Sequence, residues 1–305
     1  MNELAETIVL AGGTGNLGGR IARALLQRGA NVLVLSRSTD PDGKRKALES
    51  LGVTVRTVDM SRVSDIASAC EGAACVVSAL QGVRDVIVDT QSVLLDGAVK
   101  SGVKRFIPSD FSTDFRSLPP GENRNYDLRR EFHERLYAAP VTPTSIYNGV
   151  FAEVLMQNPP YFNFDKKVVA YWEDPDWRLD FTTMDDAAAY TAAAALDPTT
   201  PDTLNIASFS VTPRQLARFT DEVLKTPFNL ERLGSLDELR RRNDSERAAD
   251  PQGEREVYPQ WQVRQYEHTM FSKHHESLDN DRYPDVKWTS LDELVDRRSR
   301  PSRGK

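Results

Sequence analysis

Two cysteines, four histidines and no long apolar run among 305 residues rule out several chemistries at once. Cys70 and Cys75 are too few to staple a secreted framework, and they straddle a helix-to-strand transition. They read as a buried, reduced pair, which fits a cytoplasmic protein. His133, His268, His274 and His275 stand in no His-Glu-x-x-His or Cys/His zinc spacing, so no metal site is expected. A membrane span needs ~20 consecutive apolar residues, and nothing here approaches that. Met1–Glu6 is acidic and leads straight into a strand, so it does not read as a signal peptide. The net charge of −6, with short basic runs flanked by acids (Lys44–Lys46, Arg240–Arg242, Arg297–Arg298), argues against a nucleic-acid partner. A hydrophobic content of 39% with 28% charged residues is that of a globular chain able to bury a full core.

What is present alternates strand and helix over the first 150 residues. Thr7–Ala11 is a continuous β-prone apolar run, as in a strand buried on both faces. A glycine turn and a helix from Asn16 to about Arg28 follow, with Leu17, Ile21, Ala24 and Leu25 on one stripe and Gly29 at the C-cap. Further strands are expected at Val32–Leu35, Val53–Val58, Ala74–Ser78, Arg105–Ile107 and Thr144–Tyr147, with helices near 43–50, 62–70, 83–101 and 125–138. Such alternation predicts a doubly wound, mostly parallel α/β sheet of Rossmann type, with helices on both faces. After Val150 the chain turns rich in aromatics and proline. This part, 151–298, is expected to form a smaller C-terminal substrate lobe, with 181–207 packing back on the sheet. Within it, helices are predicted at Asp185–Leu196 and, capped by Thr212 with Pro213 at its first position, at Pro213–Leu224. Residues 235–256 read as an exposed charged helix and loop, and 299–305 as a disordered tail.

Gly13-Thr14-Gly15-Asn16-Leu17-Gly18, preceded by Gly12, follows the first strand and opens an amphipathic helix. Glycines let backbone approach a pyrophosphate there, and the helix N-terminus meets its charge. Residues Gly12 to Gly18 are therefore assigned to a dinucleotide. The second strand ends Leu35-Ser36-Arg37-Ser38-Thr39, with no acid before Asp40 to accept ribose hydroxyls. Arg37 suits a 2′-phosphate, aided by Ser36, Ser38, Lys44 or Lys46, so NADPH is expected over NADH. Asp59 after the third strand, and Ser78, Ala79 and Leu80 after the fourth, are expected to line the cleft.

These residues, with Lys104-Arg105-Phe106-Ile107-Pro108-Ser109-Asp110-Phe111, resemble the NmrA-like, isoflavone reductase-like branch of the atypical short-chain dehydrogenases. Asp180–Ala187, Leu204–Ala207 and Tyr283–Trp288 extend the resemblance over nearly the whole chain. It implies that Ser109 and Asp110 border the nicotinamide, and that Tyr147, Asn148 and Gly149 flank its ring. Phe111, Phe151, Met156 and Tyr161 would wall a pocket for a flat, apolar or phenolic substrate. The branch carries a lysine three residues after an aromatic, acting as a general base or proton relay; here Tyr126-Asp127-Leu128-Arg129 places Arg129 there.

Arginine can hold an oxyanion but does not exchange protons at neutral pH. Two readings follow. In one, the chain is an NADPH-dependent reductase of a small aromatic, carbonyl, enone or quinone-type substrate, with catalytic residues Tyr126, Arg129 and Arg130. Tyr126-x-x-x-Arg130 would then mimic the Tyr-x-x-x-Lys pair in which a cation lowers a phenol pKa, with His133 a further proton donor or a helix-surface histidine. In the other, it is a non-catalytic NADP(H) sensor of the NmrA type with a protein partner. Either form is expected as a monomer or homodimer.

Overall fold

β-Branched and leucine-rich runs bounded by glycine turns make the central strands. They are β1 (Thr7–Ala11), β2 (Asn31–Ser36), β3 (Thr54–Thr57), β4 (Cys75–Ser78), β5 (Arg105–Ile107) and β6 (Thr142–Pro143). They pair in the order β3-β2-β1-β4-β5-β6, all parallel. The computed structural model describes residues 5–37, 43–157 and 159–299. Ser38–Asp40, Met1–Leu4 and the tail from Arg300 lie outside these residues, and Ser299 ends a helix.

The strand expected at 144–147 forms as Ser145–Tyr147, and a short strand not expected, β6, precedes it. Thr142 and Thr144 donate their amides to Lys104 and Phe106, whereas Ser145 donates to Asp202 on the other side. Pro143 would be the first donor to that second side and has no N–H. The ladder therefore begins again as β7 (Ser145–Tyr147), which pairs parallel with a strand much later in the chain, Thr203–Asn205.

The crossovers are α1 (Asn16–Gln27), α2 (Lys44–Glu49), α3 (Val63–Cys70), α4 (Gln91–Lys100) and α5 (Arg124–Ala138). A π-helical stretch, Asp85–Thr90, leads into α4. There the side chains of Thr90, Gln91 and Ser92 bond back to the carbonyls of Asp85, Ile87 and Val88, which stabilises the wider turn. Cys70 and Cys75 are free and buried, and burial pushes both thiols up to about 12.

The later elements are β8 (Val150–Phe151), β9 (Phe162–Asn163), β10 (Val168–Trp172), β11 (Leu179–Thr182), α6 (Met184–Leu196), β12 (Thr203–Asn205) and β13 (Phe209–Val211). They continue with α7 (Pro213–Leu224), β14 (Asn229–Gly234), α8 (Leu236–Ala249), α9 (Gln260–Ser272) and α10 (Leu291–Ser299). Two small sheets, β14-β10-β9 and β13-β11-β8, enclose a second core around Phe162, Trp172, Phe181, Leu216 and Phe271. The predicted caps form: Thr212 makes a reciprocal capping box with Gln215 behind Pro213. α6 is alanine-rich, and its small side chains let it lie against α1, where Ile21, Ala22 and Leu25 share one core with Ala188, Tyr190 and Ala192. Among the described residues no helix is long and apolar enough to cross a membrane, and no cluster of metal-ligating side chains occurs.

Candidate functional site

The crevice lies at the carboxyl ends of β1 and β4, where the strand order reverses. Its first wall is made by close approach. Gly12 has φ +82°, and a Cβ there would lie 2.4 Å from the Ala79 carbonyl oxygen. A Cβ on Gly18 would lie 2.2 Å from the Gly12 oxygen, and one on Gly13 would meet the Val34 methyls at 2.6 and 2.7 Å. The N-cap of α1 is Gly15, so no side chain covers the first amides, and the first turn holds no acid. The helix thus turns its first N–H groups and the positive end of its dipole to the crevice. Beside it, Ser78 Oγ is buried without a partner among the described residues. This cradle fits a dinucleotide pyrophosphate.

The other expected cofactor residues spread around it. Thr14 is half-buried, Asn16 is exposed with its Oδ1 accepting from Arg20 Nε at 3.1 Å, and Leu17 packs on the core. Arg37 is exposed at the end of β2, and Lys46 is exposed on α2. Asp59 is exposed too, but its carboxyl is engaged by the Ser61 hydroxyl (2.6 Å) and amide (2.9 Å), which hold it below the usual carboxylate range. Half-buried Ala79 and Leu80 follow β4, and the Leu80 carbonyl accepts from Ser109 Oγ at 2.7 Å.

Ser109 organises the next wall. Its amide donates to Gln91 Oε1 (3.0 Å), and its carbonyl accepts from Arg129 Nε (3.0 Å). Arg129 also donates from Nη1 to the Asn125 carbonyl at 3.0 Å. Burial acts to lower the guanidinium pKa, but Tyr266, Asp110, Tyr126 and Tyr258 together raise it. The group therefore stays a fixed cation. Across the crevice Gln81 Nε2 donates to the hydroxyl of half-exposed Tyr258.

Several expected side chains lie elsewhere. Asp110 is fully buried, its Oδ2 held by His133 Nε2 (2.6 Å) and Ser145 Oγ (2.7 Å), so it reaches the crevice with backbone only. His133 is correspondingly an interior residue rather than a surface one. Tyr147 and Asn148 are also fully buried. The Tyr147 ring lies edge-on to Phe115 and beneath Arg116, while Gly149 (φ +62°) passes so close to Asp180 that a Cβ would sit 2.3 Å from its carbonyl oxygen.

Tyr126 and Arg130 do not form the pair their spacing suggested. Arg130 is bound to the Leu118 carbonyl and Asp127, and the cation beside Tyr126 is Arg129. Tyr126 is buried and stacked on Phe115, with Thr113 and Ser112 near its phenol. Burial raises its phenol well above the usual value, and Arg129 only partly offsets this. Tyr161 is core: it is buried edge-on to Phe271. Phe111 is buried under the sheet, whereas Phe151 and Met156 are half-buried.

Gln81, Gln91, Tyr258 and Tyr266 were not expected at the site. Gln81 follows Leu80 directly and was within reach of sequence reasoning. Tyr258 and Tyr266 arrive from over a hundred residues away, and no local pattern marks them.

A six-stranded parallel sheet, its switch point and its glycine cradle define a Rossmann-type fold. Residues 5–240 match the NmrA-like family, and the chain belongs to it. It is 30% identical over 220 residues to pinoresinol reductase 1 of Arabidopsis thaliana, covering 65% of this chain and 68% of that protein. It is 32% identical over 207 residues to the isoflavone reductase homolog IRL of Zea mays, covering 63% and 64%. Among solved structures, AtPrR2 with NADP+ and (+)pinoresinol superposes with a TM-score of 0.80 at 25% identity, covering 96% of this chain and 98% of that one. Leucoanthocyanidin reductase with NADPH from Vitis vinifera shares the fold, with a TM-score of 0.79 at 18% identity over 95% and 98%.

Proposed function

We propose that the protein is an NADPH-dependent reductase of a small aromatic, carbonyl, enone or quinone-type compound, working in the cytoplasm. In this reading residues 1–150 hold the cofactor and 151–298 the substrate. The observation that carries it is Arg129: a cation anchored on the Ser109 and Asn125 carbonyls, beside the glycine cradle and facing two tyrosines. The reductase names and the bound NADP+ of the relatives support the same reading.

Gly12–Gly18 hold the pyrophosphate, and Arg37 and Lys46 meet the 2′-phosphate. When bound, the cofactor supplies hydride. Arg129 holds the substrate oxygen and stabilises the negative charge that grows on it. Tyr126 stays a phenol and positions Arg129 and Thr113. Tyr258, half-exposed beside Arg129 with a raised pKa, is the phenol able to give the oxygen its proton. Phe151 and Met156 border the substrate.

The test is NADPH oxidation across a panel of quinones, enones and phenylpropanoid-like aromatics. Arg129→Met should lower kcat/KM by about 100-fold or more and leave the NADPH dissociation constant unchanged; Tyr258→Phe should lower kcat with KM retained. One observation favours a second reading, a non-catalytic NADP(H) sensor: the expected tyrosine acid, Tyr126, is sealed from the crevice. Micromolar NADPH binding with no turnover on the whole panel would select the sensor.

A further inference from the structure

The loop after β5 and the segment after α9 border an open cavity of about 470 Å³ that none of these roles uses. Asp114 and Arg116 line it from the first, Lys273, His275 and Glu276 from the second, and Asn205 at the end of β12. Three lining residues carry buried polar atoms without a partner among the described residues: Asn205 Oδ1, His274 Nδ1 and Nε2 of His275, the last residue being 3% exposed. Asn205 and His275 are fixed by backbone bonds. The Asn205 amide donates to Asp279 Oδ2 and the His275 amide to Asp180 Oδ2, each at 2.8 Å. Unpaired buried atoms on a rigid wall are rare and call for a partner.

The charges say what kind of partner. Arg116 is paired with Asp114 at 2.9 Å, and the charge of Lys273 also acts on Asp114. With Glu276, two cations face two carboxylates. Burial holds the imidazoles of His274 and His275 toward their neutral forms. An anion would confront Asp114, Glu276 and the Asn205 oxygen, and a cation would confront Arg116 and Lys273. A hydrocarbon would leave all three unpaired atoms unpaired. Hydroxyl groups donate and accept at one uncharged atom, so they satisfy a wall on which donors and acceptors alternate.

We propose that this cavity binds a neutral polyhydroxylated group, the glycosyl or polyol portion of the substrate, so that the preferred substrate is a glycoside or polyol conjugate. The word substrate here rests on the reductase reading. The cavity shares Lys273, His274 and His275 with a small cleft lined by Thr113, Gly149 and Val150. Thr113 lies beside Tyr126, the neighbour of Arg129. A glycosyl group in the cavity would leave its aglycone on the Thr113 side, the side of Arg129.

Calorimetric titration of the NADPH-saturated protein with 2-naphthol, its β-glucoside, β-galactoside and β-xyloside, and its β-glucuronide tests this. The best neutral glycoside should bind at least tenfold tighter than naphthol and tighter than the glucuronide, and should shift the His275 imidazole resonances. Asn205→Ala and Lys273→Met should each bring its affinity down to that of naphthol, leaving the naphthol and NADPH constants within twofold. Equal binding of glycosides and naphthol, a tighter glucuronide, or variants that keep the glycoside preference would overturn the proposal. Glycoside binding that responds to both variants, with no NADPH oxidation on any panel compound, supports the cavity and overturns the reductase reading alone.

Discussion

Arg37 stands exposed at the end of β2, with no acid before it on that strand to accept a ribose hydroxyl. A guanidinium there would contribute charge-assisted hydrogen bonds to a 2′-phosphate, about 1.5–3 kcal/mol in total. Arg37→Ala should therefore weaken NADPH binding by roughly ten- to a hundredfold and leave NADH binding within twofold. Fluorescence titration of both nucleotides reads the ratio, and an unchanged preference would place the discrimination elsewhere. Residues whose chemistry depends on backbone approach were legible at this scale. Gly12, Gly13 and Gly18 were read from spacing alone, and each is confined by an atom that a side chain would strike. Asp110 was not legible in the same way. An acid next to Ser109 suggests a ligand, but a buried histidine and serine had claimed its carboxyl, and neither is near it in sequence.

Helix α5 shows why elements are easier to read than their faces. Its existence and limits follow from periodicity and from Asn123, whose side chain caps the Tyr126 amide. The face it turns inward is set by partners on other strands. Arg129 reaches Ser109 on one strand end, and His133 reaches Asp110 beside it. Arg130, one position on, is drawn away to Leu118 and Asp127. The helical spacing pointed to Arg130 as the partner of Tyr126; the packing put Arg129 there instead. β6 and β7 teach the same point, since the short strand before Pro143 was not read at all, and which neighbour each strand pairs with is set by distant residues. Replacing His133 with Leu removes one of the two groups that hold Asp110 Oδ2 and leaves a buried carboxyl under-satisfied. The expected loss is about 1–3 kcal/mol of unfolding free energy by denaturant titration, with Asp110→Asn, which retains an acceptor for Ser145, losing less. Equal stability of both variants to the parent would remove this pair from the fold's supports.

Across the molecule, the segment after α9 ties the end of the chain to the middle. Asp197, at the C-cap of α6, accepts from Arg282 (2.7 Å) and Tyr283 (2.9 Å), and the Thr199 amide and hydroxyl bind its other oxygen. Burial acts to raise its carboxyl, but the bonds from Thr199, Arg282 and Tyr283 prevail and hold it below the usual range. A depressed folded pKa stabilises above the unfolded value of about 3.9, and that stability is lost as pH falls through this range toward the folded value. Thermal unfolding from pH 6 to 3 should show the parent melting above Asp197→Asn at pH 6, with the gap closing below about pH 4. A gap that stays constant would mean that the carboxylate's charge plays no part. Thr289 on Asp186 and Arg28 on Asp285 add further ties of this kind.

The contact between α1 and α6 also limits how such a protein can change. The helix that presents its amides to the cofactor has its back covered by alanines drawn from beyond residue 180. A gene cut after Gly149 would encode every glycine of the cradle and yet leave Ile21 and Leu25 facing water. The cofactor half is thus no portable cassette. Exchange of the later half with a relative, in the laboratory or in evolution, has to carry a matching α6 with it.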